Sequence, residues 1–84
     1  TDVSRELVQG VSAFSTAFEL YHNDEYYDAM VKALDGTMNA LNALQDFVND
    51  YPYDEQVFEF VKGLKEQVTK ERDMYLTKSA KLDK

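Results

Sequence analysis

The central part of the sequence repeats apolar residues in two adjacent seven-residue patterns, and this feature constrains the fold most strongly. Residues 25–49 carry one seam of mostly large side chains and one of mostly small side chains, each with alternating spacings of three and four residues. The large seam is Tyr27, Met30, Leu34, Thr37, Leu41, Leu44 and Val48, and the small seam is Tyr26, Ala29, Ala33, Gly36, Ala40, Ala43 and Phe47. Neighbouring residues on a helix differ by about 100°. The seams therefore lie side by side and predict a helix with two helical neighbours.

The first segment, residues 3–21, carries the same pair of seams and is predicted to form helix 1. Its large seam is Leu7, Val11, Phe14, Phe18 and Tyr21, and its small seam is Gly10, Ala13, Ala17 and Leu20. Asp2 or Ser4 can cap its N-terminus. A glycine in a helix interior costs about 1 kcal/mol relative to alanine. Gly10 therefore predicts a place where a neighbouring helix approaches closely.

The turn after helix 1 is short, and helices joined by a short turn are antiparallel neighbours. Folding the chain at Asn23 and Asp24 brings Gly10 near Gly36 and the small seams of helices 1 and 2 together. Close helix packing is therefore predicted at Gly10, Ala13, Ala17, Ala29, Ala33 and Gly36. The large seam of helix 2 is then left for a third helix. In the alternative interpretation, the small seam is a weakly apolar flank or the face of a dimer.

The second turn, residues 49–55, contains the only proline and separates helix 2 from helix 3. The residue before a proline avoids the helical region, whereas a proline followed by acids favours a helix N-terminus. Helix 3 is predicted over residues 53–76, with an apolar seam of Val57, Val61, Leu64 and Val68. Residues 77–84 are expected to be a basic tail that is frayed or extends beyond the bundle.

These patterns predict an all-α fold, an antiparallel up-down-up three-helix bundle that forms a single domain over residues 1–84. The seams supply more apolar residues than one three-helix core needs, because helix 1 has two seams and Phe58 and Phe60 thicken helix 3. Dimerisation that completes the bundle is therefore an alternative to a closed monomer.

Charge is distributed unevenly along the 84 residues, whose formal net charge is −7. Residues 1–60 have twelve acidic residues against Arg5 and Lys32, a net charge of −10, and residues 61–84 have seven basic against four acidic residues, a net charge of +3. Nucleic-acid phosphates are bound by Lys and Arg, so the acidic body argues against nucleic acid and favours a basic partner. No uncharged run approaches the ~20 apolar residues of a membrane-spanning helix, and cysteine is absent.

One cluster around the first turn resembles a metal or acid–base site: His22, Asn23, Asp24, Glu25 and Asp28. Its spacing is not that of an EF-hand loop, and the chain lacks the Glu-x-x-His pairs of di-iron bundles. Asn23, Asp24 and Glu25 are also the residues that a helix N-terminus favours for capping and dipole reasons. We therefore predict no catalytic residue, no metal site, no cofactor and no enzymatic activity.

Tyrosines and acids gather at the two predicted turns, which lie at opposite ends of the bundle. Tyrosine suits interfaces because it buries a large ring and keeps a polar tip. Partner binding is predicted at these two ends, at Tyr26, Asp28, Asp50, Tyr51, Tyr53, Asp54 and Glu55. In the simpler interpretation, the tyrosines fill the ends of the bundle and the acids solvate the helix starts.

The function that this pattern favours is a small acidic, non-catalytic interaction module that binds a basic protein, as an inhibitor, immunity factor or adaptor does. The first alternative is a structural or oligomerising segment of a larger helical protein, including a homodimer. The second alternative is a bundle that binds a ligand at mid-height, where Gly10, Gly36 and Gly63 are expected to meet in a glycine waist.

The segment Asp24-Glu25-Tyr26, with Ala29 three residues later, resembles the turn between the two helices of a tetratricopeptide repeat. That family has Gly at the position of Asp24 and Trp at that of Ala13, and no second copy follows at its period of ~34 residues. The resemblance covers about six residues and implies a helical hairpin rather than membership in the family.

Overall fold

A computed structural model describes residues 2–50 and 54–82, and these residues form three α-helices. Helix α1 spans Asp2–His22, α2 spans Tyr26–Asp50 and α3 spans Glu55–Leu82. No strand occurs in the described residues. The all-α class and the three-helix bundle are therefore confirmed. The helix bounds lie within two residues of the predicted ones, except at the end of α3.

The turn between α1 and α2 closes α1 with a Schellman motif. The backbone N–H of Glu25 donates to the carbonyl of Leu20 at 2.9 Å, and that of Asp24 donates to the carbonyl of Tyr21 at 3.1 Å. Asp24 occupies the left-handed position of the motif, with a φ of 64°, where glycine is the usual residue. A turn this tight makes α1 and α2 antiparallel neighbours.

Helix α3 begins with a side-chain cap and runs further than predicted. The backbone carbonyl of Asp54 accepts a hydrogen bond from Phe58 N–H at 2.9 Å, and its carboxylate accepts one from Val57 N–H at 3.1 Å. The first bond begins the regular helical series, and the second pairs a donor that a helix start otherwise leaves unpaired. The helix continues to Leu82, six residues beyond its predicted end. It continues because its last turns pack on α2, where Ser79 is buried.

Helices α2 and α3 are bridged along their length by polar side chains. Three pairs connect them: Lys65–Gln45, Arg72–Asp35 and Ser79–Asp28. In each pair the α3 side chain donates to a side-chain oxygen of α2. The residue numbers rise along one helix as they fall along the other, so α2 and α3 are antiparallel and the order of the helices is up-down-up.

The three helices lie side by side in one layer, with α2 in the middle. Helix α2 packs against both neighbours, whereas no described Cα of α1 comes within 8 Å of a Cα of α3. The Cα positions extend over 47 × 22 × 13 Å, so the layer is wider than it is thick. In a bundle in which all three helices touch, α1 and α3 each have a second helical neighbour, which they lack in this layer.

The core of the layer is small and aliphatic. Its buried apolar residues are Ala17, Ala29, Val31, Leu34, Ala43, Val48, Val61 and Val68. No aromatic side chain among the described residues is buried, although aromatic residues usually supply much of the apolar area of a core. The large seam of α1 is therefore mostly exposed to solvent.

The residues of α2 that are buried differ in part from those of the predicted large seam. Leu34 and Val48 of that seam are buried, but Met30 and Leu44 are exposed, and Val31 joins the core instead. Val31 lies about 100° around the helix from Met30, so the buried side of α2 is displaced from the predicted seam at this level of the helix.

Candidate protein-interaction surface

One side of the α1–α2 pair is an open groove lined by apolar side chains. Its larger part has a volume of about 520 Å³ and its smaller part about 110 Å³, and Phe14 borders both. The larger part is lined by Phe14, Ala17, Phe18, Tyr21, Tyr26, Ala29, Met30 and Ala33. The smaller part is lined by Leu7, Gly10, Val11, Phe14, Gly36 and Ala40. The two parts therefore form one groove that follows α1 from Leu7 to Tyr21.

The same surface continues along α2 beyond the groove. The residues of α2 that line the groove are spaced by three or four residues. The same spacing continues to Leu44 and Phe47, both of which are exposed. We call the whole surface the apolar face. It consists of Leu7, Val11, Phe14, Phe18 and Tyr21 of α1 and Tyr26, Met30, Ala33, Ala40, Leu44 and Phe47 of α2.

Two glycines let α1 and α2 approach closely beneath the groove. A Cβ on Gly10 would lie 3.3 Å from the carbonyl oxygen of Gly36 and 3.4 Å from the Cβ of Asn39. A Cβ on Gly36 would lie 2.9–3.0 Å from three ring carbons of Phe14. The absence of side chains at these positions therefore brings the backbones together and leaves room for the Phe14 ring on the floor of the groove.

The small residues that the sequence singles out differ in their surroundings. Gly10, Ala17, Ala29 and Gly36 are buried, and Ala13 and Ala33 are half-buried. Gly63 is exposed, and no described atom of a neighbouring helix lies within 4 Å of the position that its Cβ would take. Gly63 therefore does not share a common space with Gly10 and Gly36, because it lies on a side of α3 that no neighbouring helix covers.

The apolar face contains no charged residue. Five of its side chains are exposed aromatic rings: Phe14, Phe18, Tyr21, Tyr26 and Phe47. At about 100° per residue, the charged residues of α2 fall on the opposite half of that helix, and they are Asp28, Lys32, Asp35, Asp46 and Asp50. Aromatic side chains without charges are typical of the centre of a protein–protein interface.

The other side of the layer is polar. A shallow groove of about 230 Å³ is lined there by Arg5, Glu6, Asn42, Gln45, Asp46 and Lys65. Lys65 Nζ donates to Gln45 Oε1 at 2.7 Å, and Glu6 Oε2 is buried without a hydrogen-bond partner among the described residues. The two sides of the α1–α2 pair therefore differ in chemistry, since one groove is lined by apolar side chains and the other by polar and charged ones.

The end of the layer at the first turn combines tyrosines with acids, as predicted from their clustering in the sequence. The hydroxyl of Tyr26 donates to Asp24 Oδ1 at 2.9 Å. This hydrogen bond and the negative charge of Asp24 raise the pKa of Tyr26 above its ordinary value of 10.0, because both disfavour the phenolate. Asp28 is half-buried and accepts a hydrogen bond from Ser79. Its carboxylate therefore takes part in helix packing.

The described members of the predicted partner-binding set lie at two opposite ends of the layer. Tyr26 and Asp28 lie in the first turn of α2, whereas Asp50 is its last residue. A helix rises about 1.5 Å per residue, so these positions are about 36 Å apart. A single small partner segment cannot contact both groups at once.

At the second turn, the acids have different roles. Asp50, Asp54 and Glu55 are all exposed, and the Asp54 carboxylate also caps α3. Tyr51 and Tyr53, which were also predicted to bind a partner, lie outside the described residues. Three of the predicted acids at this end are therefore accessible to a partner, and one of them also accepts a capping hydrogen bond.

His22 packs against aromatic rings of α1. Its ring centroid lies 4.4 Å from that of Phe18 and 6.0 Å from that of Tyr21, both in edge-to-face geometry. No group of three or more His, Asp or Glu side chains in the described part of the chain could hold a metal ion. Within residues 2–50 and 54–82, no helix is long and apolar enough to cross a membrane.

No protein-family model, curated protein or solved structure matches this chain. The resemblance of the first turn to a tetratricopeptide repeat is thus not accompanied by a match to that family. Functional inference therefore depends on the chemistry of the surface.

Apart from Tyr26, the apolar face was not among the predicted partner-binding residues. Its signal in the sequence is the large seam of helix 1, which no polar residue interrupts. Such a seam predicts that the residues will be covered, but the hydrophobic effect is non-directional. The seam therefore does not specify whether another helix of the chain or a separate molecule covers it.

Proposed function

We propose that this chain is a non-catalytic protein–protein interaction module that binds through its apolar face. The observation that carries the proposal is the set of five exposed aromatic rings on a surface without a charged residue. Covering apolar surface is favourable by roughly 25 cal/mol per Å². A partner that covers these rings therefore gains binding energy from each of them.

The shape of the face supports the same function. Residues that dominate binding energy are commonly aromatic and fit into pockets at the centre of an interface. Here Phe14 and Phe18 border a groove between two helices, a form of site that accepts the apolar side of a partner helix. The position of His22, packed against Phe18 rather than against an acid, fits a role in structure rather than in acid–base chemistry.

A photoreactive phenylalanine analogue at position 18 of the full chain, in the cells that produce it, tests this proposal. We expect a discrete covalent adduct with a protein, which mass spectrometry identifies. The control is the same analogue at Gln9, which is exposed and nine residues away, hence about 180° around α1. We expect no adduct from position 9. Absence of an adduct at position 18, or equal adducts at both positions, contradicts the proposal.

A second candidate function is the binding of a basic protein at the second turn, supported by the exposure of Asp50 and Glu55. Complementary charge accelerates association and selects partners. The double variant Asp50→Lys/Glu55→Lys should then lose retention on an immobilised Lys-rich peptide. The control is Glu71→Lys/Asp73→Lys, which changes the net charge equally at two exposed positions of α3. If both variants lose retention equally, retention depends on net charge, and the site at Asp50 and Glu55 is rejected.

A further inference from the structure

The folded chain exposes more surface than a monomer of its mass normally does. Its accessible surface is 6058 Å² at a mass of 9.7 kDa, whereas folded monomers of that mass expose about 5,100 Å². The excess is about 900 Å². A stable protein–protein interface buries about 800 Å² on each partner, so one interface of ordinary size accounts for the excess.

Much of the exposed apolar area lies on the apolar face. Its five aromatic rings are each roughly half exposed, and at about 200 Å² per side chain they contribute about 500 Å². Leu7, Val11, Met30 and Leu44 are exposed as well. The largest apolar patch of an ordinary monomer is about 300–600 Å². The five rings alone fall within this range, and the four further side chains bring the apolar face toward the size of an interface.

The distribution of charge indicates which partner fits the face. A basic partner requires acids, and the face has none. In a two-fold contact, the same surface of each copy packs against its counterpart. A face whose charges all had one sign would therefore repel the face of the second copy, whereas this uncharged face does not. The acids Asp28, Asp35 and Asp46 lie on the opposite half of α2, away from the contact. Their mutual repulsion is screened over about 8 Å at physiological salt.

The helix pair has the geometry for such a contact. Helices α1 and α2 are antiparallel, and each presents apolar residues to the face with spacings of four and three, interrupted on α2 at Thr37. These are the spacings at which side chains of neighbouring helices interlock. Two such pairs placed face to face form a four-helix arrangement with the seams around a common axis.

We infer that the apolar face docks on the apolar face of a second copy of this chain, forming a two-fold homodimer with α3 on the outside of each copy. This inference rests on the proposed function and specifies its partner. Phe14, Phe18 and the other rings that a single chain leaves in water become the core of the dimer. The aliphatic core of each layer then lies beside an aromatic core shared by both copies.

Sedimentation equilibrium of the full chain at tens of micromolar tests the inference, and we expect a dimer. Val11 is 70% exposed, so Val11→Glu leaves the packing within one chain nearly unchanged. In the dimer it buries a carboxylate in an apolar contact, which should raise the dissociation constant at least ~100-fold. The control Gln9→Glu adds the same charge about 200° around α1 and should dimerise like the wild type. Circular dichroism verifies that both variants are helical.

An experiment on the unmodified chain makes the test independent of the variants. In a mixture of isotope-labelled and unlabelled chains, isotope-filtered NOE spectra detect contacts between copies only. We expect such contacts from the ring protons of Phe14 and Phe18. A dimer without them, or one that Val11→Glu does not weaken, overturns the inference.

The outcomes separate this inference from the proposed function. A chain that is monomeric at tens of micromolar overturns the homodimer. If that monomer forms an adduct with a different protein through the analogue at position 18, the interaction function stands and the second copy is rejected. If it forms no adduct, both proposals fail.

Discussion

The ring of Phe14 in α1 lies against Gly36 in α2, where an added Cβ would stand 2.9 Å from ring carbon Cε2 and 3.0 Å from Cδ2 and Cζ. This relationship joins the two main features of the molecule. The missing side chain at Gly36 allows α1 and α2 to pack closely, and the ring that occupies its place forms part of the apolar face. Substitutions at these two positions should therefore depend on each other.

Gly36→Ala should be more stabilising when Phe14 is absent. Alanine is favoured over glycine in a helix interior by about 1 kcal/mol, and in a Phe14→Ala background this gain should appear in full. With Phe14 present, the new methyl group displaces the ring, and we expect the coupling to reduce the gain by at least ~0.5 kcal/mol. Urea denaturation of the four chains at one concentration measures the coupling. Equal gains in both backgrounds would show that the Phe14 ring does not lie against Gly36.

Gly63→Ala should raise the free energy of unfolding by about 1 kcal/mol. No described atom of a neighbouring helix lies within 4 Å of the new methyl group, so only the helix propensity changes. Gly10→Ala is the matched comparison, because its Cβ would lie 3.3 Å from the backbone carbonyl oxygen of Gly36. We expect little or no gain there, since the helices must move apart. A larger gain at Gly10 than at Gly63 in chemical denaturation would contradict the close approach of α1 and α2.

Asp54→Ala should lower the free energy of unfolding by about 1 kcal/mol, because the N-cap side chain of α3 is lost. Asp54→Ser keeps an oxygen that can accept the hydrogen bond from Val57 N–H, so most of the stability should be retained. Asp50→Ala is the control, since it removes an exposed acid at the same end without removing a cap. Thermal denaturation measures all three. If serine and alanine at position 54 destabilise equally, the cap makes no contribution.

Asp24→Asn should lower the pKa of Tyr26 toward 10.0, because the hydrogen bond to a carboxylate and its negative charge are what raise it. An NMR titration of the Tyr26 ring measures this change. Glu25→Gln removes the same charge one residue away and is the control, with a smaller effect expected. An unchanged pKa in Asp24→Asn would show that the Tyr26–Asp24 hydrogen bond does not form in solution.

The same pKa shift predicts a pH dependence of stability. The folded chain holds the Tyr26 proton more tightly than the unfolded chain, since the folded pKa lies above 10.0. The contribution of this group is therefore complete below the ordinary tyrosine pKa and is lost as the pH rises through the folded value. The difference in stability between wild type and Asp24→Asn should accordingly shrink at high pH, as measured by denaturation over a pH series.

Local features of the fold could be predicted because they depend on residues close together in the sequence. The turn at Asn23 and Asp24, the break at Pro52 and the two seams of α2 locate the helices within two residues, apart from the end of α3. That end could not be predicted, because it is set by the contact of Ser79 with Asp28, 51 positions away. The candidate residues at the two turns are predicted from clustering alone, and the described ones lie at opposite ends of the layer, as their positions in the sequence indicate.

Residue patterning by itself determined three helices, their antiparallel order and the presence of more apolar surface than one core needs, because periodicity and turn chemistry are local properties. Only the tertiary structure decided which apolar surface stays open. Apolar seams accept any apolar neighbour, whereas directional contacts such as Arg72 with Asp35 and Lys65 with Gln45 hold α3 across α2 from α1. That placement leaves Phe14 and Phe18 on an uncovered face, and the proposed function follows from it.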